Sequence, residues 1–516
     1  MRLNYMASWV CRIACTPLHL LALGGLVAGC ATLSQPLDPI EFVSAEVARG
    51  EKTILVPKAV YEIDTDKRVY FDLSGLDGVT IDFQGARLNG GRRTRMFNLS
   101  DSTNVVLRNV TIDYRRLPFT EAIIEKVDAE KNWDVRIVEG YPLPDDAELS
   151  RLFWPIQVYD AETQELKNPM RSLDGIKILR TGERTYRITG GRNRTGDIGD
   201  YCVWSVKDDR GQRDALNLAR CSGCRIENVT VYSTPMGCGF NEVDCTATTY
   251  SRCRLIRCPE EEDTCKRDFR RLRSGNHDAL NARRDYIGPA IEDCRFEYHC
   301  DDNVNISGFY AVVTRTEGDK LRILPYCGSL RIDVGDSCQI FRADGKTSAD
   351  VRVVAIAEGG ETTDDERRLI GEWKFTHGIG DGLKRAWWLK LDGQADMPPG
   401  SCIISNRRMG NGFRIVNSHF GSTRGRGLMI KASEGLVASN VIEKTVCTAI
   451  VIKPEFQWME GGCSRNVDLI DNEVRSCGGE CYIGGMSFDG KELGPGSHPG
   501  VVFRRSEDVG ERDVRQ

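Results

Sequence analysis

The 516-residue chain lacks the features typical of helical, membrane-spanning or nucleic-acid-binding proteins. Apolar residues at helical spacing are scarce, which argues against an α-helical core. The 70 basic and 75 acidic residues leave a formal net charge of only −5, so nothing electrostatic favours a nucleic-acid partner. Cys221 and Cys224 have the spacing of half a zinc site, but no second pair follows, and we expect neither a metal nor a cofactor. The basic cluster at 266–273 is expected to be a solvated loop face.

The apolar run at residues 18–27 is too short to cross a bilayer as an ordinary helix. It follows Arg2 and Arg12 and ends in Leu26-Val27-Ala28-Gly29-Cys30, which resembles the processing site of bacterial lipoproteins. We expect a signal peptide at 1–29, lipidation of Cys30 and a tether at 30–39. The lipid anchor would make the membrane a partner of an exported protein, at the outer membrane, in the periplasm or at the cell surface. An ordinary secretory signal with an incidental cysteine is the alternative.

What the chain does contain is a repeat. Asp278-Ala279-Leu280-Asn281 and Asp302-Asn303-Val304-Asn305 share the pattern Asp-x-φ-Asn, where φ is apolar, and lie 24 residues apart. The same register occurs at Asp214-Ala215-Leu216-Asn217 and Cys238-Gly239-Phe240-Asn241. A repeat of this length, built of one short strand and a turn, is typical of a coil that stacks on its neighbour.

A second strand pattern, φ-x-x-(Asn/Cys/Val)-x-φ, traces the same coils independently. In a parallel solenoid its fourth positions would stack inside the coil, where small residues pack well and Asn amides can hydrogen-bond to one another. These positions are Val110, Val229, Cys253, Cys294, Ser418, Asn440 and Asn472.

Two long gaps in this pattern contain segments with period-two alternation, which predicts small antiparallel β-domains. We therefore predict an all-β fold, a right-handed parallel β-helix like that of pectate lyases, with two inserted β-domains. The predicted parts are N-terminal coils at 40–118, a first inserted domain at 119–210, catalytic coils at 211–308, a second inserted domain at 309–410, C-terminal coils at 411–490 and a tail at 491–516. The second insertion starts soon after Asp302 and is expected to wall a cleft there.

Neighbouring parallel strands lie about 4.8 Å apart, so Asp278, Asp301 and Asp302 are expected to converge. Glycoside hydrolysis needs one protonated carboxyl to donate to the leaving oxygen and one carboxylate to activate water or attack carbon. Close carboxylates raise one another's pKa, so that one stays protonated near neutrality. The group is a candidate acid/base site, and the structural alternative is turn capping, as at Asp214.

These motifs together resemble right-handed parallel β-helix glycosidases, which pair an Asp with an Asp-Asp one coil later. Polygalacturonases also carry a Gly-His-Gly, which is absent here, and an Arg-Ile-Lys triplet, which has only a loose echo at 426–431. The closer resemblance is to glycoside hydrolase family 110, the inverting exo-α-galactosidases that act on terminal α-1,3-linked galactose. The Thr-Arg-x-Arg-Gly strand at 423–427 and the segment 454–461 are similar to that family, and the resemblance covers roughly 54–484.

The resemblance implies an exo-acting glycosidase that releases terminal α-linked galactose by inversion. Asp301 would be the general acid, and Asp278 and Asp302 would hold and deprotonate water. Arg426 falls on Asp302 in the coil register, so it either faces the cleft and binds sugar hydroxyls or serves as a charge partner. Trp458 could either stack on a sugar or close the end of the β-helix. The predicted substrate-binding residues are His277, Asn305, Arg424, Arg426, Lys431, Glu455, Trp458 and Glu460.

Two other classes compete with a hydrolase. A calcium-dependent polysaccharide lyase would use the aspartates as metal ligands and Arg426 or Lys431 as base. A carbohydrate-binding surface protein would keep the solenoid and need no acid/base pair. A carbohydrate is the expected partner in every case, while the oligomeric state and the cysteine pairing, such as Cys463 with Cys477, stay open.

Overall fold

Three ladders of stacked parallel strands form the body of the protein in a computed structural model. The structure describes residues 38–65, 67–91, 94–144, 148–149, 156–167, 176–190, 195–206, 213–263, 269–343, 350–373, 382–394, 397–486, 492–493 and 501–504. The predicted signal peptide and Cys30 lie outside these residues. No helix within the described ranges is long and apolar enough to cross a membrane.

The chain passes through the three ladders in turn, which is the path of a parallel β-helix. The first ladder consists of Thr53–Leu55, the first halves of Thr80–Gly90, Val106–Tyr114 and Arg225–Val231, and then Thr249–Ser251, Ala290–Glu292, Arg414–Val416, Gly435–Ala438, Val467–Ile470 and Val501–Arg504. The second ladder consists of Val60–Ile63, the second halves of the same three long strands, and then Arg254–Leu255, Arg295–Glu297, His419–Gly421, Val441–Glu443 and Glu473–Arg475. The third ladder consists of Val69–Ser74, Arg95–Ser100, Leu216–Ala219, Phe240–Val243, Leu280–Arg283, Val304–Phe309, Leu428–Ile430, Thr448–Ile452 and Gly479–Ile483. The all-β prediction with parallel coils is confirmed, and the handedness of the winding stays a prediction.

The registers of the ladders agree with both sequence patterns. In the third ladder Asn217 pairs with Asn241, Asn241 with Asn281, and Asn281 with Asn305. In the first ladder Ile291 of one coil pairs with Ile415 of the next. Apolar residues at alternate positions of the strands therefore fill one continuous core inside the coil.

The corner between the first and second ladders shows why the fourth positions carry small or amide side chains. The Nδ2 of Asn440 donates to Oδ1 of Asn472 at 2.9 Å, and Oδ1 of Asn440 accepts from the backbone N–H of Ser418 at 2.9 Å. These bonds satisfy polar groups that the turn of the coil would otherwise bury unpaired. A residue with positive φ precedes each such position, which favours Asn and Asp there: Asn109, Asn228, Arg252, Asp293, Asn417, Ser439 and Asp471.

Two antiparallel β-units interrupt the coils. The first lies between Val106–Tyr114 and Leu216–Ala219 and is an open sheet of Phe119–Val127, Trp133–Ile137, Glu148–Leu149, Gln157–Tyr159, Lys177–Arg180, Thr185–Thr189 and Tyr201–Ser205. The second lies between Val304–Phe309 and Arg414–Val416 and is a closed barrel of Ala311–Glu317, Lys320–Pro325, Ser337–Phe341, Val351–Glu361, Arg385–Leu391 and Cys402–Ser405. The predicted domain boundaries themselves stay predictions.

Short elements complete the described part of the chain. The helix Pro39–Ala48 begins within the segment predicted as a tether, and the strand Val501–Arg504 continues the first ladder within the predicted tail. The remaining elements are the helix Asp364–Glu372, the 3₁₀ turns Glu260–Glu262, Tyr326–Gly328 and Phe456–Trp458, and the strands Glu460–Gly461, Gly485–Met486 and Glu492–Leu493.

The prediction of a solvated loop face for the basic cluster at 266–273 is wrong at Arg271 and Arg273, while residues 266–268 lie outside the described residues. Arg271 and Arg273 are buried, because each meets partners from distant parts of the chain. Arg271 is held by Asp113, at 2.6 and 2.8 Å, and by Asp263, at 2.9 Å. Composition alone did not reveal these carboxylates, since Asp113 lies more than 150 residues earlier. Cys463 and Cys477 do not form a disulfide with each other.

Candidate active site

Three aspartates meet at the edge of the third ladder where its strands begin. Asp278 precedes the strand Leu280–Arg283, and Asp301 and Asp302 precede Val304–Phe309. One carboxylate oxygen of each lies within 4.8 Å of one oxygen of the other two. Asp301 is the most accessible, with 20% of its side chain exposed against 4% for Asp278 and 2% for Asp302. The register that the repeat predicted therefore brings the three carboxyl groups together.

Asp278 is held in its ionised form by the groups around it. Burial alone would raise its pKa, but the neighbouring His277 and a hydrogen bond from Asn281 outweigh burial and lower the pKa. Nδ2 of Asn281 donates to Oδ2 at 2.6 Å, and the backbone N–H of Asp302 donates to Oδ1 at 3.2 Å. A carboxylate fixed in this way suits a base or a water-holding group.

His277 lies between Cys238 and Asp278. Its Nδ1 is 3.5 Å from Sγ of Cys238 and 3.5 Å from Oδ2 of Asp278. Burial would lower the pKa of His277, but Cys238 and Asp278 outweigh it and raise the pKa. Because burial raises the pKa of Cys238 to about 11, its thiol is neutral, and Asp278 is the anion that stabilises an imidazolium here.

Asp301 differs from Asp278 in its protonation. Burial raises the pKa of Asp301 to about 6, and repulsion from Asp278 and Asp302 adds to burial against the opposing charge of Arg424. Nη2 of Arg424 contacts Oδ1 at 3.1 Å, while its Nε donates to the carbonyl of Cys300 at 2.8 Å. Asp301 is thus the carboxyl that can carry a proton at mildly acidic pH while facing solvent.

Asp302 is bound by Arg426 from the next coil. Its Oδ1 accepts from the backbone N–H and from Nε of Arg426, and its Oδ2 accepts from Nη2, each at 2.8 Å. This two-pronged contact fixes the plane of the carboxylate. Arg426 is therefore a direct partner of a predicted catalytic group, as the coil register indicated.

Glycine at two positions allows the Arg-containing strand to approach this closely. A Cβ at Gly425 would lie 2.4 Å from the carbonyl carbon of Asp301, and a Cβ at Gly427 would lie 2.3 Å from the carbonyl oxygen of Ala449. Backbone cannot move away as a flexible side chain can. Gly425 thus lets residues 424–427 lie against the backbone of Asp301, where Arg424 reaches the carbonyl of Cys300 and Arg426 reaches the carboxylate of Asp302.

A buried ionic network extends from Arg426. Nη1 of Arg426 donates to Oε1 of Glu455 at 2.6 Å, and Nζ of the fully buried Lys431 lies 3.2 Å from Oε2 of Glu455. Lys431 also donates to Glu460 at 2.6 Å and to Oδ1 of Asn305 at 3.1 Å. Burial alone would raise the pKa of Glu455, but the nearby cations lower it to about 2. Five of the predicted substrate-binding residues thus support the aspartates through one network.

Trp458 belongs to the predicted site, whereas His299 lies beside the aspartates without having been predicted. Trp458 ends the 3₁₀ turn Phe456–Trp458 with 43% of its surface exposed, and its role as a sugar platform stays a prediction. His299 was not predicted, although it lies two residues before Asp301. Burial lowers its pKa, so its neutral ring donates through Nδ1 to the carbonyl of His277, 3.1 Å away. The other ring nitrogen, Nε2, lies 2.7 Å from Oδ1 of Asn303, and a neutral ring that donates through Nδ1 accepts a hydrogen bond there only when the Asn303 amide is turned to place its nitrogen at that position.

The first inserted sheet packs directly behind the aspartate segments. Nε2 of Gln157 donates to the carbonyl of His299 at 3.1 Å. Fully buried Arg273 donates to Oε1 of Gln157 at 2.5 Å, to Oδ1 of Asn276 at 2.9 Å and to the carbonyl of Val203 at 3.1 Å. The sheet therefore braces both chain segments that carry the aspartates.

The barrel contacts the opposite side of the same region. Gln339 exchanges two hydrogen bonds with the backbone of Cys463, at 3.1 and 2.9 Å, and the ring of Tyr310 stacks on Phe456 at 5.3 Å. Residues 456–463 include Glu460 and follow Glu455. Both insertions therefore contact the chain segments that form the site.

No family model matches this chain, and no curated protein does. Solved structures that match include PfbA, a surface adhesin of Streptococcus pneumoniae, at 9% identity over 88% of this chain and 89% of that chain, with a TM-score of 0.28. The receptor-binding protein of bacteriophage Det7, a podoviral tailspike in a myovirus, matches at 10% identity over 84% and 66% of the two chains, with a TM-score of 0.17. The siphovirus 9NA tailspike receptor-binding domain matches at 10% identity over 89% and 75%, with a TM-score of 0.15. Likeness this weak carries no argument about function.

Proposed function

We propose that this protein is an exo-acting glycoside hydrolase that releases terminal α-linked galactose, with Asp301 as general acid and Asp278 and Asp302 as the groups that hold and deprotonate water. The observation that carries the reaction type is the convergence of three carboxyl groups within 4.8 Å, of which Asp301 has its pKa raised to about 6 and Asp278 has its pKa lowered. One proton donor beside one ionised carboxylate is the arrangement that glycoside hydrolysis requires. The sugar and the α-1,3 linkage come from the sequence resemblance to glycoside hydrolase family 110.

In this mechanism Asp301 gives its proton to the glycosidic oxygen as the bond to the anomeric carbon breaks. Asp278 and Asp302, fixed by Asn281 and Arg426, take a proton from a water molecule that attacks the anomeric carbon.

The test is a screen of the purified protein against nitrophenyl α- and β-glycosides and galactose-terminated oligosaccharides. We expect release of galactose from α-linked substrates only, and loss of this activity in Asp301→Asn. Binding to these glycans without turnover, equal in the wild type and in Asp301→Asn, would overturn the proposal in favour of a carbohydrate-binding surface protein.

A calcium-dependent polysaccharide lyase is the second candidate, because the same three aspartates could hold a metal ion. The donors already present favour the hydrolase, because the guanidinium of Arg426 balances the charge of Asp302 and would repel a divalent cation, while each oxygen of Asp278 accepts one hydrogen bond and keeps a lone pair for water. Activity that a chelator abolishes, with an unsaturated product absorbing in the ultraviolet, would identify the lyase.

The proposal includes attachment of the mature protein to a bacterial membrane through lipid on Cys30, as the sequence of residues 26–30 indicates. Several acyl chains bind stably where a single chain binds marginally. Cys30→Ser should therefore move the protein from the membrane fraction to the soluble fraction. Unchanged fractionation of that variant would refute the anchor.

A further inference from the structure

A second polar cavity lies at the other end of the strands that carry the aspartates. Arg284 follows the strand Leu280–Arg283, and Phe309 ends Val304–Phe309, so both stand at the edge opposite Asp278 and Asp302. Arg284, Phe309, Tyr326 and Arg331 line a cavity of about 110 Å³ between the coil and the start of the barrel. This volume is several times the roughly 30 Å³ that one water molecule occupies in the liquid.

Three guanidinium groups converge on a single buried carboxylate beside this cavity. Arg284 contacts Asp244 at 3.1 and 3.2 Å, Arg408 contacts it at 3.4 Å, and Arg331 contacts it at 3.5 Å. Arg408 has a second carboxylate, Asp333, at 3.2 Å. Three positive charges thus face two negative ones.

The donors around the cavity are not exhausted by these contacts. The buried Nε–H groups of Arg331 and Arg408 meet no acceptor among the described residues. The guanidinium of Arg284 lies over the ring of Phe309 at 5.0 Å, and that of Arg408 lies over Tyr286 at 4.3 Å. A guanidinium stacked on an aromatic ring keeps its N–H edge available for an oxygen anion.

We infer that this cavity is a binding site for an oxyanion, a sulfate ester or a uronate carboxylate, carried by the saccharide that the aspartates act on. The anion follows from the excess guanidinium charge and the unmet N–H groups, and the saccharide rests on the proposed function. Seven residues separate Asp302 from Phe309, and a strand rises about 3.3 Å per residue, so the two sites lie about 23 Å apart. Asn305 and Ser307 point away from the core but are buried, and Glu460–Gly461 pairs with the end of this strand, so the strand itself is covered. An acidic oligosaccharide that reaches both sites would therefore have to pass outside residues 460–461.

The first experiment titrates the intact protein with sodium sulfate and, separately, with glucuronate, in buffers brought to equal ionic strength with sodium chloride. Binding is measured by calorimetry and by the shift in melting temperature. Arg331→Ala removes a lining cation that is 38% exposed, and Arg315→Ala removes a guanidinium of the same barrel that stacks on Trp388 away from the cavity. Arg331→Gln, which keeps most of the side-chain volume, guards against a packing defect.

We expect at least one of the two anions to bind the wild type and Arg315→Ala equally, and to bind both Arg331 variants about 10-fold to 100-fold more weakly, as the loss of a charged hydrogen bond implies. Preference for sulfate or for glucuronate identifies the source of the oxyanion. Neither anion binding better than chloride, or equal binding by the Arg331 variants, would overturn the inference.

The second experiment compares galactose-terminated oligosaccharides with and without sulfate on an internal unit. In Arg331→Ala we expect KM to rise about tenfold for the sulfated substrate only, with kcat unchanged, since the cavity is remote from the reacting bond. Anion binding that depends on Arg331 without galactose release from either substrate would leave the cavity assigned and reject the proposed hydrolase. Galactose release with no anion binding would reject the cavity as an anion site and support the proposed hydrolase.

Discussion

Arg426 binds Asp302 through three hydrogen bonds of 2.8 Å, one from its backbone and two from its guanidinium. It shares its remaining edge with Glu455, so that one cation compensates two buried carboxylates. Arg426 therefore belongs to the candidate active site as well as to the coil stack.

Arg426→Ala should destabilise the protein by about 3–5 kcal/mol, because it leaves Asp302 and Glu455 buried without this cation. Arg426→Lys should retain more stability but lose turnover, since an ammonium group cannot hold the carboxylate plane with two N–H groups. Chemical denaturation and kcat measure the two effects. Arg367→Ala, an exposed Arg paired with Asp364, is the control and should cost less than about 1 kcal/mol. A loss for Arg426→Ala as small as that of the control would contradict the structural role.

The pH dependence of activity should report the proton on Asp301. Its pKa of about 6 means that the protonated fraction falls as the pH rises through 6, so kcat/KM should decline on the alkaline side of that value. Arg424→Gln removes the charge that opposes this shift, and the alkaline limb should then move to higher pH, whereas Arg424→Lys should keep it near the wild-type position. A pH profile measured between 4 and 9 that is identical in the wild type and Arg424→Gln would exclude Asp301 as the titrating donor.

Replacement of each aspartate by Asn tests the group as a unit. Asp278→Asn, Asp301→Asn and Asp302→Asn should each lower turnover by roughly 10²–10⁴-fold with the fold intact. Double variants should be little worse than the single ones, because residues that act together are not additive. Near-normal turnover in Asp301→Asn, with unchanged thermal stability, would reduce these residues to turn caps.

The stereochemistry of the released sugar needs its own measurement. Carboxylate oxygens within 4.8 Å are closer than the roughly 6.5–9.5 Å separation usual for inverting enzymes, while the family resemblance implies inversion. We expect proton NMR of the first-formed product to show β-galactose, because Asp278 and Asp302 are both fixed by donors and Asp301 alone faces solvent. First-formed α-galactose would indicate a covalent intermediate and assign one aspartate as nucleophile.

The sequence predicted the coil well because stacking places equivalent residues of successive coils together. A 24-residue displacement was enough to pair Asn281 with Asn305 and to set Asp278 beside Asp302. Asn281 itself was missing from the predicted site, although the repeated Asp-x-φ-Asn pattern contained it, and its amide donates a hydrogen bond of 2.6 Å to Asp278.

Contacts that cross an insertion could not be predicted from the repeat. Arg284 meets Arg331 and Arg408 only through Asp244, and nothing in the spacing of these residues indicates that the barrel turns back onto the coil. Arg273 likewise looked like one more charge in a loop, while its partners Gln157 and Val203 come from the inserted sheet. Long-range pairs outside the coil register depend on how two domains pack, which no local pattern encodes.

A buried acid pair inside the coil should make the protein sensitive to alkaline pH. Glu242 and Asp285 are both fully buried, and burial raises the pKa of each; for Asp285 the neighbouring Glu242 raises the pKa further. Oε2 of Glu242 accepts from Tyr250 and Oδ1 of Asp285 accepts from the backbone of Cys245. The two carboxyl groups also interact with each other, which requires that at least one of them keeps its proton.

Because the folded pKa values lie above the unfolded values of about 4, this contribution to stability is complete below pH 4 and is lost as the pH rises through the folded values. Glu242→Gln keeps the hydrogen bonds but removes one ionisable group. The free energy of unfolding of this variant should therefore fall less steeply with rising pH than that of the wild type, and the two slopes should differ by up to about 1.4 kcal/mol per pH unit. Denaturation series at pH 5 to 9 measure this slope, with exposed Glu183→Gln as the control. If Glu242→Gln lost stability with rising pH as steeply as that control, the buried pair would not retain a proton, and it would contribute nothing to the pH dependence of stability.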